Sequence, residues 1–190
     1  MLYLVTGGSG SGKSEYAEQL AVRQSFVCSS ERGKLCYIAT MYPCDDECLN
    51  RIDRHRFMRK DKGFTTFECY HHPGQLSFGK EDVVLLECMS NLLANEMYQK
   101  EGQITGRGAQ ADKQLEEGIL KPLLQWGQQA GSVIIVTNEV FSDGMEYDAE
   151  TEEYLRLLGE INRFLAGAAD AVTEVVCSIP VYHKGKELLI

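Results

Sequence analysis

Residues 1–14 are MLYLVTGGSGSGKS, and the last eight of them, Gly7 to Ser14, match the pattern G-x-x-x-x-G-K-[ST] without substitution. The six residues before the pattern form a short apolar run, which predicts a buried strand. After it, Ala17, Leu20 and Ala21 recur at helical spacing in a segment that lacks Pro and Gly until residue 33. A strand, a glycine-rich loop and a helix in this order are the context that a phosphate-binding loop (P-loop) requires.

The loop binds phosphate through its backbone. Glycines let the chain curl so that successive N–H groups point at a polyphosphate, and the new helix adds its positive N-terminal end. We expect Lys13 to contact the β- and γ-phosphates and the Ser14 hydroxyl to hold Mg²⁺. The alternative, a glycine-rich turn without a ligand, is disfavoured by the Lys-Ser pair and the preceding strand. The predicted nucleotide-binding residues of this loop are Gly7, Gly8, Ser9, Gly10, Ser11, Gly12, Lys13 and Ser14.

Composition limits the classes of protein to be considered. A length of 190 residues with 44% hydrophobic content predicts one globular domain over residues 1–190. The net charge of −9 argues against non-specific nucleic-acid binding and against a polybasic membrane contact. We find no apolar run of the ~20 residues that a membrane span needs, and we expect no signal peptide. Seven cysteines without C-x-x-C spacing predict reduced thiols and a cytoplasmic location.

Strand-like and helix-like segments alternate along the whole chain. This alternation predicts an α/β P-loop NTPase fold, with a mostly parallel sheet covered by helices on both faces. A helix with a kink at Pro122 and a short C-terminal antiparallel hairpin within residues 181–190 are also expected. The predicted strands are residues 1–6, 35–40, 64–70, 82–87, 132–137 and 171–177.

A helix predicted from about Glu47 to Lys60 carries a basic stripe. Arg51, His55 and Arg59 are spaced i, i+4 and i+8, so they share one face. Such a face can contact a polyphosphate, and a neutral imidazole at its centre can act as a nucleophile. A solvated charged face is the commoner meaning of such a run, and spacing alone leaves both interpretations open.

Polar residues are expected where strands end. The apolar run 82–87 ends in Glu87, and in a P-loop fold such an acid holds Mg²⁺ directly or through water. Many buried strands end in an acid, so this prediction depends on the P-loop upstream. Asn138 and Glu139 follow the strand at 132–137, and the carboxyl ends of strands are where open α/β sheets place ligand contacts.

Seven segments, taken together and in this order, resemble the bifunctional adenosylcobinamide kinase/adenosylcobinamide-phosphate guanylyltransferase family of cobalamin biosynthesis. The P-loop occurs in many families, whereas the Ile-Ala-Thr strand, the histidine helix and Thr-Asn-Glu-Val are more specific. The segments are Val5 to Ser14, Tyr37 to Thr40, Arg51 to Arg59, Leu85 to Cys88, Val136 to Val140, Gly159 to Asp170 and Ile179-Pro180.

The resemblance implies two reactions. A nucleoside triphosphate, ATP or GTP, phosphorylates the aminopropanol hydroxyl of adenosylcobinamide; GTP then transfers GMP to adenosylcobinamide phosphate through a guanylyl-histidine intermediate. His55 matches the family's guanylylated histidine, and Lys13 is the second residue predicted to be catalytic. The resemblance also implies a RecA-like P-loop fold, bound Mg²⁺ and a homo-oligomer. Positions at or near the family's nucleotide contacts are Thr40, Met41, Arg56, Arg59, Glu68 and Glu87.

The chain departs from the family pattern at two places. Arg54 stands where many members have a first of two histidines, which leaves His55 alone. After Val140, many members continue Gly-x-Gly-Ile-Val-Pro, whereas this chain has the acidic segment Phe141 to Asp148. The second departure makes corrinoid recognition harder to predict than nucleotide binding.

Two other functions are compatible with the P-loop. A P-loop kinase of another small alcohol would use Gly7 to Ser14 and Glu87 but not His55. A nucleotide-dependent switch or ATPase would need an effector surface, and we see no exposed apolar helix in the sequence that suggests one.

Overall fold

Seven strands form one sheet in the computed structural model, which describes residues 1–28 and 33–188. The strand order is β3-β2-β4-β5-β1-β6-β7. Strands β1 to β6 all run parallel to one another, whereas β7 runs antiparallel to β6. The strands are β1 (Leu2–Thr6), β2 (Leu35–Ala39), β3 (Thr65–Glu68), β4 (Val83–Glu87), β5 (Ser132–Val136), β6 (Ala171–Val176) and β7 (Ile179–Lys184).

Helices cover both faces of this sheet, as predicted. Leu2 and Leu4 of β1 pack into one hydrophobic core, whereas Tyr3 and Val5 pack into the other, because successive strand side chains point to opposite faces. Helix α1 contributes to the second core, and α3 to α6 contribute to the first. The helices are α1 (Lys13–Val27), α2 (Asp46–Arg59), α3 (Met89–Tyr98), α4 (Ala109–Leu115), α5 (Lys121–Gln129) and α6 (Ala149–Ala168).

Two local predictions concern the helix with Pro122 and the C-terminal hairpin. A π-helical segment, Glu116–Leu120, lies directly before α5, and the residues at its two ends keep right-handed helical angles, so α4, this segment and α5 form one continuous helix. Pro122, which has no backbone N–H, lies just after the π-helical segment, and the kink there stays a prediction. The C-terminal hairpin consists of β6 and β7 and therefore begins before residue 181; the last two residues of the predicted hairpin, 189 and 190, lie outside the described residues.

The strand order brings the predicted site residues to one edge of the sheet. Strand β5 lies between the P-loop strand β1 and the acid-bearing strand β4. Because the parallel strands all end at one edge of the sheet, that edge gathers the P-loop, the end of β2 and Glu87. Within residues 1–28 and 33–188, no helix is both long and apolar enough to cross a membrane.

Candidate functional site

A pocket of about 400 Å³ opens at the carboxyl edge of the sheet. The P-loop, β2, α2, β3 and β4 all contribute to its wall. It brings together ten residues that the sequence singled out: Lys13, Ser14, Met41, Arg51, His55, Arg56, Arg59, Glu68, Glu87 and Asn138. Lys13 and Ser14 are the members of the eight-residue loop that line this pocket.

The P-loop contacts the β6–β7 turn, where the Ser178 N–H donates to the Ser11 carbonyl at 2.7 Å. Gly12 has φ 91°, and a Cβ there would lie 2.6 Å from Ser178 Oγ, so both the conformation and the space require glycine. Lys13 is 9% exposed, and its Nζ donates a hydrogen bond to the Gly8 carbonyl at 3.0 Å. Burial lowers the pKa of Lys13, and the neighbouring Cys88 and Glu87 act in the opposite direction. A phosphate would give this enclosed ammonium group an anionic partner.

The basic face of α2 is directed at the pocket. Asp45 caps the helix by accepting a hydrogen bond from the Cys48 backbone N–H at 2.7 Å. Arg51, His55 and Arg59 all line the cavity, so this stripe is not a face turned only to solvent. The His55 Nδ1 lies 3.9 Å from Glu87 Oε1. The nucleophile predicted on α2 and the acid predicted at the end of β4 are therefore neighbours.

Tyr37 contacts both Glu87 and Arg59. Its hydroxyl donates to Glu87 Oε2 at 3.1 Å, and the Arg59 guanidinium lies 3.7 Å from the centre of its ring. Burial raises the pKa of Tyr37 far above its usual value, with the Glu87 charge adding to the effect, so the phenol keeps its proton and remains a donor. Arg59 is 6% exposed, and its side chain forms part of the pocket floor.

Arg56 and Glu68 form a looser outer wall. Their side chains are joined at 3.1 Å, and the Tyr70 hydroxyl also donates to Glu68 at 3.0 Å. Both side chains of the ion pair are about half exposed, at 56% and 50%. An exposed pair of this kind contributes little stability, so either member can exchange its partner for a ligand at low cost.

The structure does not bring the Thr40 side chain to the pocket wall. Thr40 is buried; its hydroxyl donates to the Cys88 carbonyl at 2.9 Å and accepts from the Cys88 N–H at 2.7 Å. The Asn95 side chain donates to the Thr40 carbonyl at 2.8 Å. Thr40 therefore fastens the end of β2 to the start of α3, while the next residue, Met41, lines the cavity.

Sequence reasoning missed two polar residues beneath the pocket, Tyr37 and Glu18. Glu18 is fully buried on α1, and the Lys62 ammonium donates to its Oε2. A sequence pattern did exist for Glu18. It lies four residues after Ser14 and three before Ala21, so it falls on the face of α1 that runs from the P-loop into the core. A carboxylate on a buried face requires a partner, which the sequence alone does not identify.

The oxygens at this site suit a hard cation. The Ser14 hydroxyl and the Glu87 carboxylate both line the pocket, and oxygen ligands of this type are those that Mg²⁺ prefers. Tyr37 holds one carboxylate oxygen of Glu87, and the other faces the cavity side near His55. The donor set therefore fits Mg²⁺ bound together with nucleotide phosphates.

Comparisons with known proteins agree on one family. The sequence model described as cobinamide kinase / cobinamide phosphate guanyltransferase matches residues 3–182. Two similar proteins are both named bifunctional adenosylcobalamin biosynthesis protein CobU. The one from Salmonella typhimurium is 30% identical, the one from Escherichia coli K12 is 32% identical, and each match covers 97% of this chain and 100% of the relative.

A third relative and one of the similar solved structures are described next. The bifunctional adenosylcobalamin biosynthesis protein CobP of Pseudomonas aeruginosa is 28% identical, over 97% of this chain and 98% of that protein. Among solved structures, the P4 protein from bacteriophage phi6 in complex with ADP aligns with a TM-score of 0.42 at 12% identity. That alignment covers 94% of this chain and 52% of that chain.

Proposed function

The chain belongs to the cobinamide kinase / cobinamide phosphate guanyltransferase family, and we propose that it catalyses both reactions of that name on one P-loop domain. Its substrates are adenosylcobinamide, adenosylcobinamide phosphate, and ATP or GTP. The observation that carries the proposal is the meeting of Lys13, His55 and Glu87 in one pocket, since a kinase alone has no need of a histidine beside its acid.

The first reaction is phosphoryl transfer. The aminopropanol hydroxyl attacks the γ-phosphorus of the nucleotide, the bond to the β-bridging oxygen breaks, and the hydroxyl loses its proton. Lys13 and the loop N–H groups stabilise the charge that develops on the phosphate oxygens. Ser14 and Glu87 would hold Mg²⁺, which would supply further charge neutralisation.

The second reaction is guanylyl transfer in two steps. A ring nitrogen of His55 attacks the α-phosphorus of GTP, and the bond to pyrophosphate breaks, which gives a phosphoramidate. A phosphate oxygen of adenosylcobinamide phosphate then attacks the same phosphorus, and the P–N bond breaks to give adenosylcobinamide-GDP. Arg51 and Arg59 line the pocket on either side of His55 along α2 and are suited to bind the phosphates during both displacements.

The proposal extends to the remaining contacts and to the setting of the enzyme. We propose that Met41, Arg56 and Glu68 contact the nucleotide from the outer wall, and that Thr40 acts by placing Met41. The protein is proposed to be cytoplasmic and homo-oligomeric. The competing function, a kinase of another small alcohol without guanylyl transfer, would use Glu87 but would leave His55 beside it without a role.

A covalent-labelling experiment tests the proposal. The protein is incubated with Mg²⁺ and GTP labelled at the α-phosphate, denatured, and examined for bound label that is lost in acid and stable in base. We expect the wild type to carry such label and His55→Ala to carry none. Lys13→Ala should bind GTP weakly and label slowly.

Phosphorylation is measured separately, with γ-labelled nucleotide and adenosylcobinamide. His55→Ala should retain this activity, which separates the two reactions. Absence of label on a wild-type protein that binds GTP would contradict guanylyl transfer and favour a simple kinase.

A further inference from the structure

A buried carboxylate lies behind the candidate nucleophile. Glu18 is fully buried on α1, the helix that begins at the P-loop. Carboxylate, imidazole and carboxylate atoms of Glu18, His55 and Glu87 all lie within 4.8 Å of one another. The imidazole of His55 therefore lies near two acids, one from α1 and one from β4.

Two buried atoms of this group have no hydrogen-bond partner within the described residues: Glu18 Oε1 and His55 Nδ1. A buried carboxylate oxygen without a donor is unfavourable, and so is a buried ring nitrogen without a partner. A ligand atom of Glu18 and one of His55 lie within 4.8 Å of each other. A rotation of these side chains that brings the His55 Nδ1–H to Glu18 Oε1 would satisfy both atoms.

We propose that Glu18 is a positioning residue for guanylyl transfer: it accepts the Nδ1–H of His55 and so leaves the Nε2 lone pair free to attack the α-phosphorus. This inference rests on the proposed function. Nδ1 is buried while a quarter of the His55 side chain is exposed, so the opposite ring edge, with Nε2, faces the pocket. The arrangement follows the general logic in which an acid fixes the tautomer of a catalytic histidine.

Glu18 is better suited to this task than Glu87. Glu87 Oε1 lies 3.9 Å from His55 Nδ1, but Glu87 already accepts from Tyr37 through Oε2, and it is the residue proposed to hold Mg²⁺. Glu18 is not one of the residues that line the pocket, and we assign it no metal-binding role. It therefore keeps its place throughout the nucleotide cycle, and its charge stabilises the imidazole when the ring becomes positively charged on guanylylation.

Lys62 fixes the orientation of Glu18. Its ammonium group pairs with Glu18 Oε2, which leaves Oε1 as the oxygen without a partner within the described residues. Lys62 lies in the turn after α2, where its N–H donates to the Arg59 carbonyl at 3.0 Å. The pair thus joins the end of the helix that carries His55 to the helix that carries the P-loop.

The test is Glu18→Gln, which preserves shape but changes the group that faces His55. Lys62 can donate only to the amide oxygen, so the amide NH₂ turns to Nδ1 and donates to it. This places the ring proton on Nε2 and blocks the nucleophile. We expect labelling by α-labelled GTP to slow by about 100-fold or more, within the usual range for general acid–base and tautomer effects. The loss of kinase activity should be at least tenfold smaller.

Glu15→Gln is the matched control, because Glu15 is exposed on the same helix. It should label at the wild-type rate. Equal losses of labelling and of kinase activity in Glu18→Gln, together with a lower melting temperature, would indicate a structural role only and would overturn the proposal. Labelling at the wild-type rate would overturn it as well.

A measurement on the wild-type protein covers the case in which Glu18→Gln fails to fold. Proton–nitrogen correlation spectra of ¹⁵N-histidine-labelled protein report the tautomer of each ring, and His55→Ala assigns the relevant signals. We expect His55 to be protonated on Nδ1. An Nε2–H tautomer would refute the role of Glu18 even if label forms, whereas absence of label with an Nδ1–H tautomer would refute only the proposed function.

Discussion

Replacing Tyr37 by Phe removes one hydroxyl from beneath the pocket and leaves the ring in place. The change deletes the 3.1 Å hydrogen bond to Glu87 Oε2 but keeps the aromatic face on which Arg59 lies. A hydrogen bond to a charged group contributes about 1.5–3 kcal/mol. Because the Glu87 side chain is only 9% exposed, water replaces the lost donor incompletely. We therefore expect the free energy of unfolding to fall by about 2 kcal/mol.

The same substitution should impair both reactions, since we propose that Glu87 holds Mg²⁺ and it lies 3.9 Å from His55. A carboxylate that is no longer held in place loses part of its interaction with the transition state, and each 1.4 kcal/mol corresponds to about a factor of ten in rate. We expect kcat/KM to fall about tenfold for phosphorylation and for guanylyl transfer. Denaturant titration and the two steady-state assays measure these effects.

Tyr3→Phe is the matched control. Tyr3 is 1% exposed on the neighbouring part of the same sheet face, and its hydroxyl contacts Met1 Sδ rather than the site. It should leave both values of kcat/KM within about twofold of the wild type. If Tyr37→Phe behaves in the same way, the bond between Tyr37 and Glu87 does not organise the site, and the reasoning is refuted.

Three further predictions follow from the site and the core. Lys13→Ala should weaken GTP binding at least tenfold in calorimetry, because the loop then lacks its only side-chain cation. Thr40→Val should lower the free energy of unfolding by about 2–3 kcal/mol, since it leaves the Cys88 N–H and carbonyl without their partner. GTP affinity should fall by a smaller factor than in Lys13→Ala, and the reverse order would make Thr40 a direct contact. Burial raises the pKa of Cys36 from 9.0 to about 11, so between these two pH values the folded protein keeps a thiol proton that the unfolded chain releases. This stabilising contribution is complete below pH 9 and is lost as the pH rises through 11, and unfolding titrations should show a shallower decline for Cys36→Ala.

The central strands could be predicted because each is buried on both faces. Runs such as Val83 to Leu86 and Val133 to Val136 are apolar without alternation, which is typical of a covered parallel sheet. The order of the strands could not be predicted in the same way. It depends on pairings between distant segments, such as β1 with β5, and no local pattern encodes them.

Thr40 illustrates a different limit. Its position at the end of β2 predicts that it lies near the site, and it does lie one residue from the pocket wall. What its hydroxyl contacts depends on the backbone of Cys88, which is 48 residues away in the sequence. Family resemblance identifies such a position without distinguishing a residue that touches a ligand from one that holds the neighbouring strand.

Helix α2 shows why the acid behind His55 escaped prediction. Arg59 is the one buried residue of this helix, and Arg54 and Phe57 are exposed. Apolar packing therefore does little to fix the position of α2. Buried polar contacts near its C-terminal end do so instead: Arg59 lies on the ring of Tyr37, and Lys62 pairs with Glu18. Hydrophobic periodicity detects elements that are held by apolar faces. It cannot detect a helix that is held by ionic contacts, and one of these contacts involves the acid that we propose selects the reactive nitrogen of His55.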